Sequence, residues 1–353
     1  MEDRRRLGET AAAAGLGPGS LVAADGGEVV VLRDGGRVIG LFPGRSGPNL
    51  LWTNPALESA ASARRLYAQD SWANVGGDRT WLAPEIEFFF PRHPDTSAYV
   101  QPRAFDPGAY REEASEPGCL RLVNEASVTA HRAGVEIPLR MTKTVRAAAN
   151  PLRDAGIPDV AYAGYALHVA VEIVAAACLP PYVGIWNLLQ LPAGGELFIP
   201  TYERCVPTLF FGDIPAGHLR VRERSIAYRM AAVGEQKISV PAVATTGRMA
   251  YLWHEGRTSM LVVRSFHPDP SGAYVDAWHE RPDETGFAVQ ACAINSGWGS
   301  FSEVEYHAPA IGGPTGLCRC DDVSQVWGFS GPRDAIARVL RALVGEAGDD
   351  AGA

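Results

Sequence analysis

The run Phe301-Ser302-Glu303-Val304-Glu305-Tyr306-His307 sets two carboxylates and an imidazole at alternate positions. In an extended chain Phe301, Glu303, Glu305 and His307 share one face, while Ser302, Val304 and Tyr306 take the other. Same-face neighbours then lie about 6.6–7 Å apart, from a rise of about 3.3 Å per residue. Such a row can titrate as a coupled set: repulsion between carboxylates raises one pKa, and an imidazolium lowers another. That suits general acid/base work near neutral pH. A solvated strand face is the plain alternative.

The stretch Gly76-Gly77-Asp78-Arg79-Thr80-Trp81-Leu82-Ala83-Pro84-Glu85 is a second cluster. Paired glycines allow close backbone approach. Asp78 and Arg79 can hydrogen-bond hydroxyls, Trp81 offers a flat apolar face, and Glu85 ends the segment. Sugars present that mixture of hydroxyls and C–H faces; the alternative is a structural turn with a core tryptophan. A third run, Tyr182 to Pro192, sets Trp186, Asn187 and Gln190 among apolar neighbours. Its amides need partners if buried, and would either line a pocket or satisfy backbone at a bulge. His168 shares a face with Glu172 and reads as a sheet histidine. His267 and His279 fall at turn edges, so no metal ligation is expected of them. No Gly-x-Ser-x-Gly elbow occurs.

The elements that would carry these residues are strands. Glu28–Leu32 and Arg37–Phe42 flank Asp34-Gly35-Gly36, a hairpin signal. From Val135 to Val145 the apolar Val135, Ile137, Leu139, Met141 and Val145 alternate with Glu136, Arg140, Thr142 and Thr144, the pattern of a half-buried antiparallel strand. Leu167, Val169, Val171 and Ile173 repeat it. Further strands are expected at 249–253, 260–266, 274–278, 287–294 and 301–307, with Pro/Gly/Asp turns between. Only the end reads as clearly helical: after Pro332, Ile336, Val339, Leu340, Leu343 and Val344 keep helical spacing and Gly345 can stop it. Residues 1–20 are expected to form a mobile arm or short helix, 21–345 one large domain, and 346–353 a frayed tail.

A net charge of −8 disfavours a nucleic-acid or anionic-membrane partner. No run of about 18 apolar residues implies a membrane span. Cys119, Cys178, Cys205, Cys292, Cys318 and Cys320 form no paired CxxC units, so they read as buried or incidental thiols in a reducing cytoplasm. Neither metal nor cofactor is expected, and a homo-oligomer is compatible with the sequence.

Taken in order, Gly76 to Glu85, Gly184-Ile185-Trp186-Asn187-Leu188-Leu189-Gln190 with Ile199-Pro200-Thr201, and Phe301 to Pro309 resemble a bacterial branch of the galactose mutarotase-like (aldose 1-epimerase-like) superfamily. The similarity spreads from about residue 25 to residue 344. It implies an all-β, antiparallel β-supersandwich with a C-terminal helix, whose concave face holds a carbohydrate. In mutarotases a late glutamate removes the anomeric hydroxyl proton and a histidine protonates the ring oxygen. The glutamate maps to Glu305 or Glu303, with Glu305 preferred because it lies nearer the following proline. Neither family histidine has a counterpart here; Arg79, His168, Tyr306 and His307 are the candidates to replace the acid.

The expectation is therefore an acid/base enzyme for a sugar or hydroxyl-rich metabolite, an epimerase or a recruited lyase or cyclase. Glu305 is the expected base, Glu303 and His307 tune it, and Asp78, Arg79, Trp81, Glu85, Trp186, Asn187 and Gln190 hold the ligand. A non-catalytic carbohydrate-binding or sensing protein is the alternative.

Overall fold

In the computed structural model, described for residues 2–22, 26–69, 72–174, 181–231 and 233–345, two antiparallel sheets face each other. Among the described residues one sheet has nine strands. Neighbour to neighbour they are Pro18–Val22, Glu28–Leu32, Arg37–Phe42, Asp78–Ala83, Gly184–Pro192, Gly299–His307, Phe287–Ser296, Gln236–Pro241 and Thr208–Phe211. The other has ten: Leu219–Val221, Ser225–Arg229, Glu196–Pro200, Arg248–Glu255, Thr258–Phe266, Arg319–Pro332, Ala161–Ile173, Val135–Ala147, Cys119–Ala130 and Arg111–Glu116. The all-β supersandwich with a closing helix agrees with the expectation from sequence.

The core lies between the sheets and follows from the two-residue period of the strands. Ile185, Leu189 and Leu191 from one sheet meet Met249, Val262 and Val326 from the other in a single cluster. A polar seam crosses it. Tyr251 Oη and Ser302 Oγ are 2.9 Å apart, Tyr306 donates to Asp322, and Asp78 pairs with Arg264 and accepts from Tyr165 Oη at 2.6 Å. Lys143, fully buried, follows Ile137, Leu139 and Met141 on the inner face and donates to the carbonyls of Gly35 and Gly36 at 3.1 and 3.2 Å. Burial, only partly offset by Asp106, brings its pKa down to about 7.

Three details position the site. Gly76 and Gly77 have φ of +91° and +76°, and a Cβ there would come within 2.3 Å of Trp52 O and 2.1 Å of Val38 O, so only glycine fits. The helix Arg333–Val344 lays Ile336, Val339 and Leu340 on the outer face of the ten-stranded sheet, over Leu261, Val263 and Phe329. The other end of that outer face is polar and solvated, with His168 paired to Asp321 and Arg319 to Glu172.

Of the two forms expected for the first residues, a mobile arm or a short helix, the structure has the helix Glu2–Ala14, with Ala11 packed among Val30, Ile39, Phe42 and Ala63, and Pro18–Val22 joins the sheet edge. Other expectations change. An unforeseen helix, Ala60–Tyr67, starts at Ser59, whose hydroxyl accepts from the Ser62 N–H at 3.2 Å. Tyr274–Trp278, expected as a strand, has no ladder partner and runs as irregular chain. The tail 346–353 and Cys178 fall outside the described residues. Among the described residues no helix is long and apolar enough to cross a membrane.

Asp78 and Arg264 are both wholly buried. Replacing Asp78 with Ala strands a guanidinium charge in the core, so we expect a loss of about 3–5 kcal/mol in urea-unfolding stability. A loss below about 1 kcal/mol would contradict that reading.

Candidate active site

From Phe301 onward the strand Gly299–His307 is buried on both faces, so each face must satisfy its own polar groups. Ser302 and Tyr306 turn inward to the seam. Glu303 and Glu305 turn to the opposite face of the nine-stranded sheet, where they floor a cleft of about 290 Å³. Arg79 and Trp81 come from the adjoining part of that sheet, Trp186 and Leu188 from the strand Gly184–Pro192, and Lys237 from beyond Cys292. Trp72, Glu85, Tyr99, Trp278 and Trp298 close the walls from connecting segments.

Each floor carboxylate meets one cation. Arg79 Nη2 lies 2.7 Å from Glu303 Oε1, which also accepts from Gln190 Nε2 at 2.9 Å. The guanidinium lies 4.1 Å from the Trp81 ring centre and 4.9 Å from that of Trp72. Lys237 Nζ lies 2.9 Å from Glu305 Oε2, and the Trp186 indole N–H donates to the same oxygen at 2.8 Å. Glu305 Oε1 is buried and has no hydrogen-bond partner, as are Arg79 Nε and Nη1. Those atoms are the free valences of the floor.

The electrostatics separate the groups. Burial, opposed by Lys237 and reinforced by Glu303, lifts Glu305 above the ordinary carboxylate pKa. Burial would lower Lys237, but Glu305 and Glu85 outweigh it and the amine stays an ammonium. Glu85, half-buried in the cleft wall, accepts from Tyr99 Oη at 2.9 Å, and partial desolvation, with Lys237 against it and Asp276 for it, pushes its pKa up to about 7. Asp276 is fully buried. It accepts from the Glu85 backbone N–H at 2.8 Å and from Gln290 Nε2 at 2.9 Å, which ties the Glu85 turn to the sheet.

The expected residues divide. Glu303, Glu305, Arg79, Trp81, Glu85 and Trp186 line the cleft, and Gln190 lies beneath it on Glu303. Asp78 and Asn187 do not: alternation turns both to the inner face, where Asp78 serves Arg264 and Asn187 accepts from Thr80 Oγ1 at 2.7 Å. His307 shares the face of Glu305 yet is not a lining residue. It stacks on Trp186 and its Nε2 lies 3.1 Å from Gln290 Oε1. Burial, partly offset by Asp276, lowers its pKa to about 4, so it is neutral at pH 7 and supplies no imidazolium. His168 lies on the outer face of the other sheet, and Tyr306 in the core seam. Lys237, Tyr99, Asp276 and Cys292 were not anticipated. Lys237 had a signal: the chain contains two lysines against thirty arginines, and both are buried.

Cys292 Sγ and carboxylate oxygens of Glu303 and Glu305 lie within 4.8 Å of one another, a donor set of metal-binding type. Arg79 and Lys237 already supply the positive charge that such a cluster would draw from an ion. A larger groove of about 1050 Å³ lies between Ile86, Pro138, Tyr182 and Tyr274; of its two carboxylates, Glu87 accepts from the Ala133 N–H at 2.9 Å and Glu136 from the Thr129 hydroxyl. The acid/base constellation belongs to the smaller cleft.

No protein-family model matches the chain, and no curated protein matches its sequence. Solved structures do match. A galactose 1-epimerase from Lactobacillus acidophilus is 9% identical with a TM-score of 0.46, over 88% of this chain and 93% of that one. A galactose mutarotase-like protein from Clostridium acetobutylicum is 10% identical (TM-score 0.45, 89% and 98% covered). An aldose epimerase homologue from C. elegans is 10% identical (TM-score 0.42, 90% and 100% covered). At these identities and scores the likeness assigns neither activity nor ligand to this chain.

Lys237→Met leaves Glu305 buried without its cation. Its folded pKa then rises further above the unfolded value, so the folded state takes up a proton as pH falls. We expect the variant to lose about 3–5 kcal/mol at pH 8 and to recover part of that by pH 5, measured by urea unfolding. A deficit independent of pH would show that Lys237 does not compensate Glu305.

Proposed function

We propose that the cleft carries out acid/base chemistry at a hydroxyl-bearing carbon of a sugar or hydroxyl-rich metabolite, in the manner of an aldose 1-epimerase. The observation that carries this reading is Glu305. One of its oxygens is fixed by Lys237 and Trp186, the other is unpartnered, and burial raises its basicity. Glu305 is the base that takes the hydroxyl proton. Glu85, with a pKa of about 7, holds a proton for part of the population at neutral pH and serves as the acid, giving that proton to the ring oxygen as the bond from that oxygen to the anomeric carbon breaks and the carbonyl forms. The two feel each other's charge, and Lys237 attracts both. Its fixed ammonium favours an alkoxide-like oxygen as charge develops. Arg79, Trp81 and Trp186 hold the ligand, with Glu303 keeping Arg79 in place.

The test is anomer exchange of a panel of aldoses, followed by NMR. Glu305→Gln should lower the rate about 100-fold or more, and Glu85→Gln should lower it less. The wild-type rate should fall as pH rises through about 7, because Glu85 then loses its proton. Unchanged exchange in Glu305→Gln removes Glu305 as base. Saturable sugar binding with no exchange at any pH would instead favour the non-catalytic binding protein.

A further inference from the structure

We infer that the ligand of this cleft carries a flat aromatic ring beside its reacting hydroxyl, an aryl-substituted sugar or polyol rather than a bare aldose. The inference rests on the acid/base reading of the same site.

A bare sugar offers a hydroxyl at nearly every carbon, and a site built for it must present donors and acceptors around the whole ring. Here the polar groups are largely consumed by one another. Arg79 is held by Glu303, Lys237 by Glu305, and Glu85 by the Tyr99 hydroxyl. Among the lining residues the buried atoms without a hydrogen-bond partner are Glu305 Oε1 and Arg79 Nε and Nη1, and Glu235 adds one exposed carboxylate. The ligand therefore meets fewer hydrogen-bonding groups than a ring with a hydroxyl at nearly every carbon requires.

Half of the eighteen lining residues are aromatic, and two groups of them are in ring contact. In one, Trp72 contacts Trp81 and Trp298, with ring centres 5.0 and 5.4 Å apart. In the other, Trp278 packs on Phe211 at 5.0 Å and on Phe210 at 5.7 Å. Internal cations already occupy faces of Trp81, Trp72 and Trp186, which argues against a cationic ligand at those rings. Trp298, at the tip of the hairpin leading into the catalytic strand, is 44% exposed although it lines the cleft. A flat ring entering between the groups would cover it, while its hydroxyl-bearing end reached Glu305. Ring stacking of this kind adds to the burial of apolar area.

The experiment measures binding to the intact protein by calorimetry for three probes: 2-O-methyl and 2-O-benzyl aldoses of the glucose, galactose and mannose series, which keep the anomeric hydroxyl free, and, without sugar, benzyl alcohol. The expected result is 2-O-benzyl aldoses binding at least 10-fold tighter than 2-O-methyl aldoses, with that advantage falling at least 5-fold in Trp298→Ala or Trp278→Ala proteins that keep the wild-type circular dichroism. Equal affinity for the methyl and benzyl ethers overturns the inference and leaves the sugar reading standing. Benzyl alcohol binding as tightly as the 2-O-benzyl aldoses supports the aromatic requirement and overturns the sugar reading. Failure of all three probes overturns both. An aryl advantage unchanged in both variants overturns the placement of the ring.

Discussion

Lys237 reaches Glu305 across an intervening strand, over the small side chain of Cys292, and meets it at 2.9 Å with both side chains buried. Strands lie about 4.8 Å apart, so only a long side chain can span that gap. A charge in such surroundings persists only if a neighbour answers it. The same constraint fixes Arg79 against Glu303 and Gln190 beneath them. It also shapes the opposite side of the same strands, where Asp78 answers Arg264 and Tyr306 answers Asp322. The cleft is thus a region where paired charges are stacked on tryptophan rings and one carboxylate oxygen, Glu305 Oε1, has no hydrogen-bond partner.

Glu85 obeys the constraint differently. It has no direct cation partner; the Tyr99 hydroxyl and the field of Lys237 stabilise its charge incompletely, and its proton is retained up to about pH 7. Asp276 holds the start of its turn and adds negative charge nearby. Two carboxyl groups in one cleft are therefore given different partners, the arrangement that the proposed division into acid and base requires.

Alternation made much of this legible. The pattern from Phe301 to His307 placed Glu303 and Glu305 on one face, and the long strands were visible in their apolar periods. The same rule applied to Asp78-Arg79-Thr80-Trp81 separates Asp78 from Arg79, and applied to Trp186-Asn187 separates those two as well. A motif considered as a unit hides that division. Lys143 and Lys237 were likewise visible in outline: a chain that uses arginine almost throughout spends its two lysines inside, and Lys143 falls on the apolar face of its strand. What sequence could not supply was the long-range part. Tyr99, Asp276 and Trp298 reach the cleft from irregular segments, and their positions depend on tertiary hydrogen bonds such as Asp276 to Glu85 and Asn74 to the Trp298 carbonyl. His307 shares the right face, but only the packed structure shows it too buried to carry charge.

The central claim is that the surroundings of Glu85 and Glu305 hold both carboxyl groups above the ordinary carboxylate pKa range. Carbon-13 NMR titration of the glutamate carboxyl groups, with Glu85 assigned by difference from Glu85→Gln, tests it most directly. The account predicts a Glu85 midpoint near pH 7, with Glu305 also above its ordinary value. Ordinary midpoints near 4.5 for both groups would contradict it.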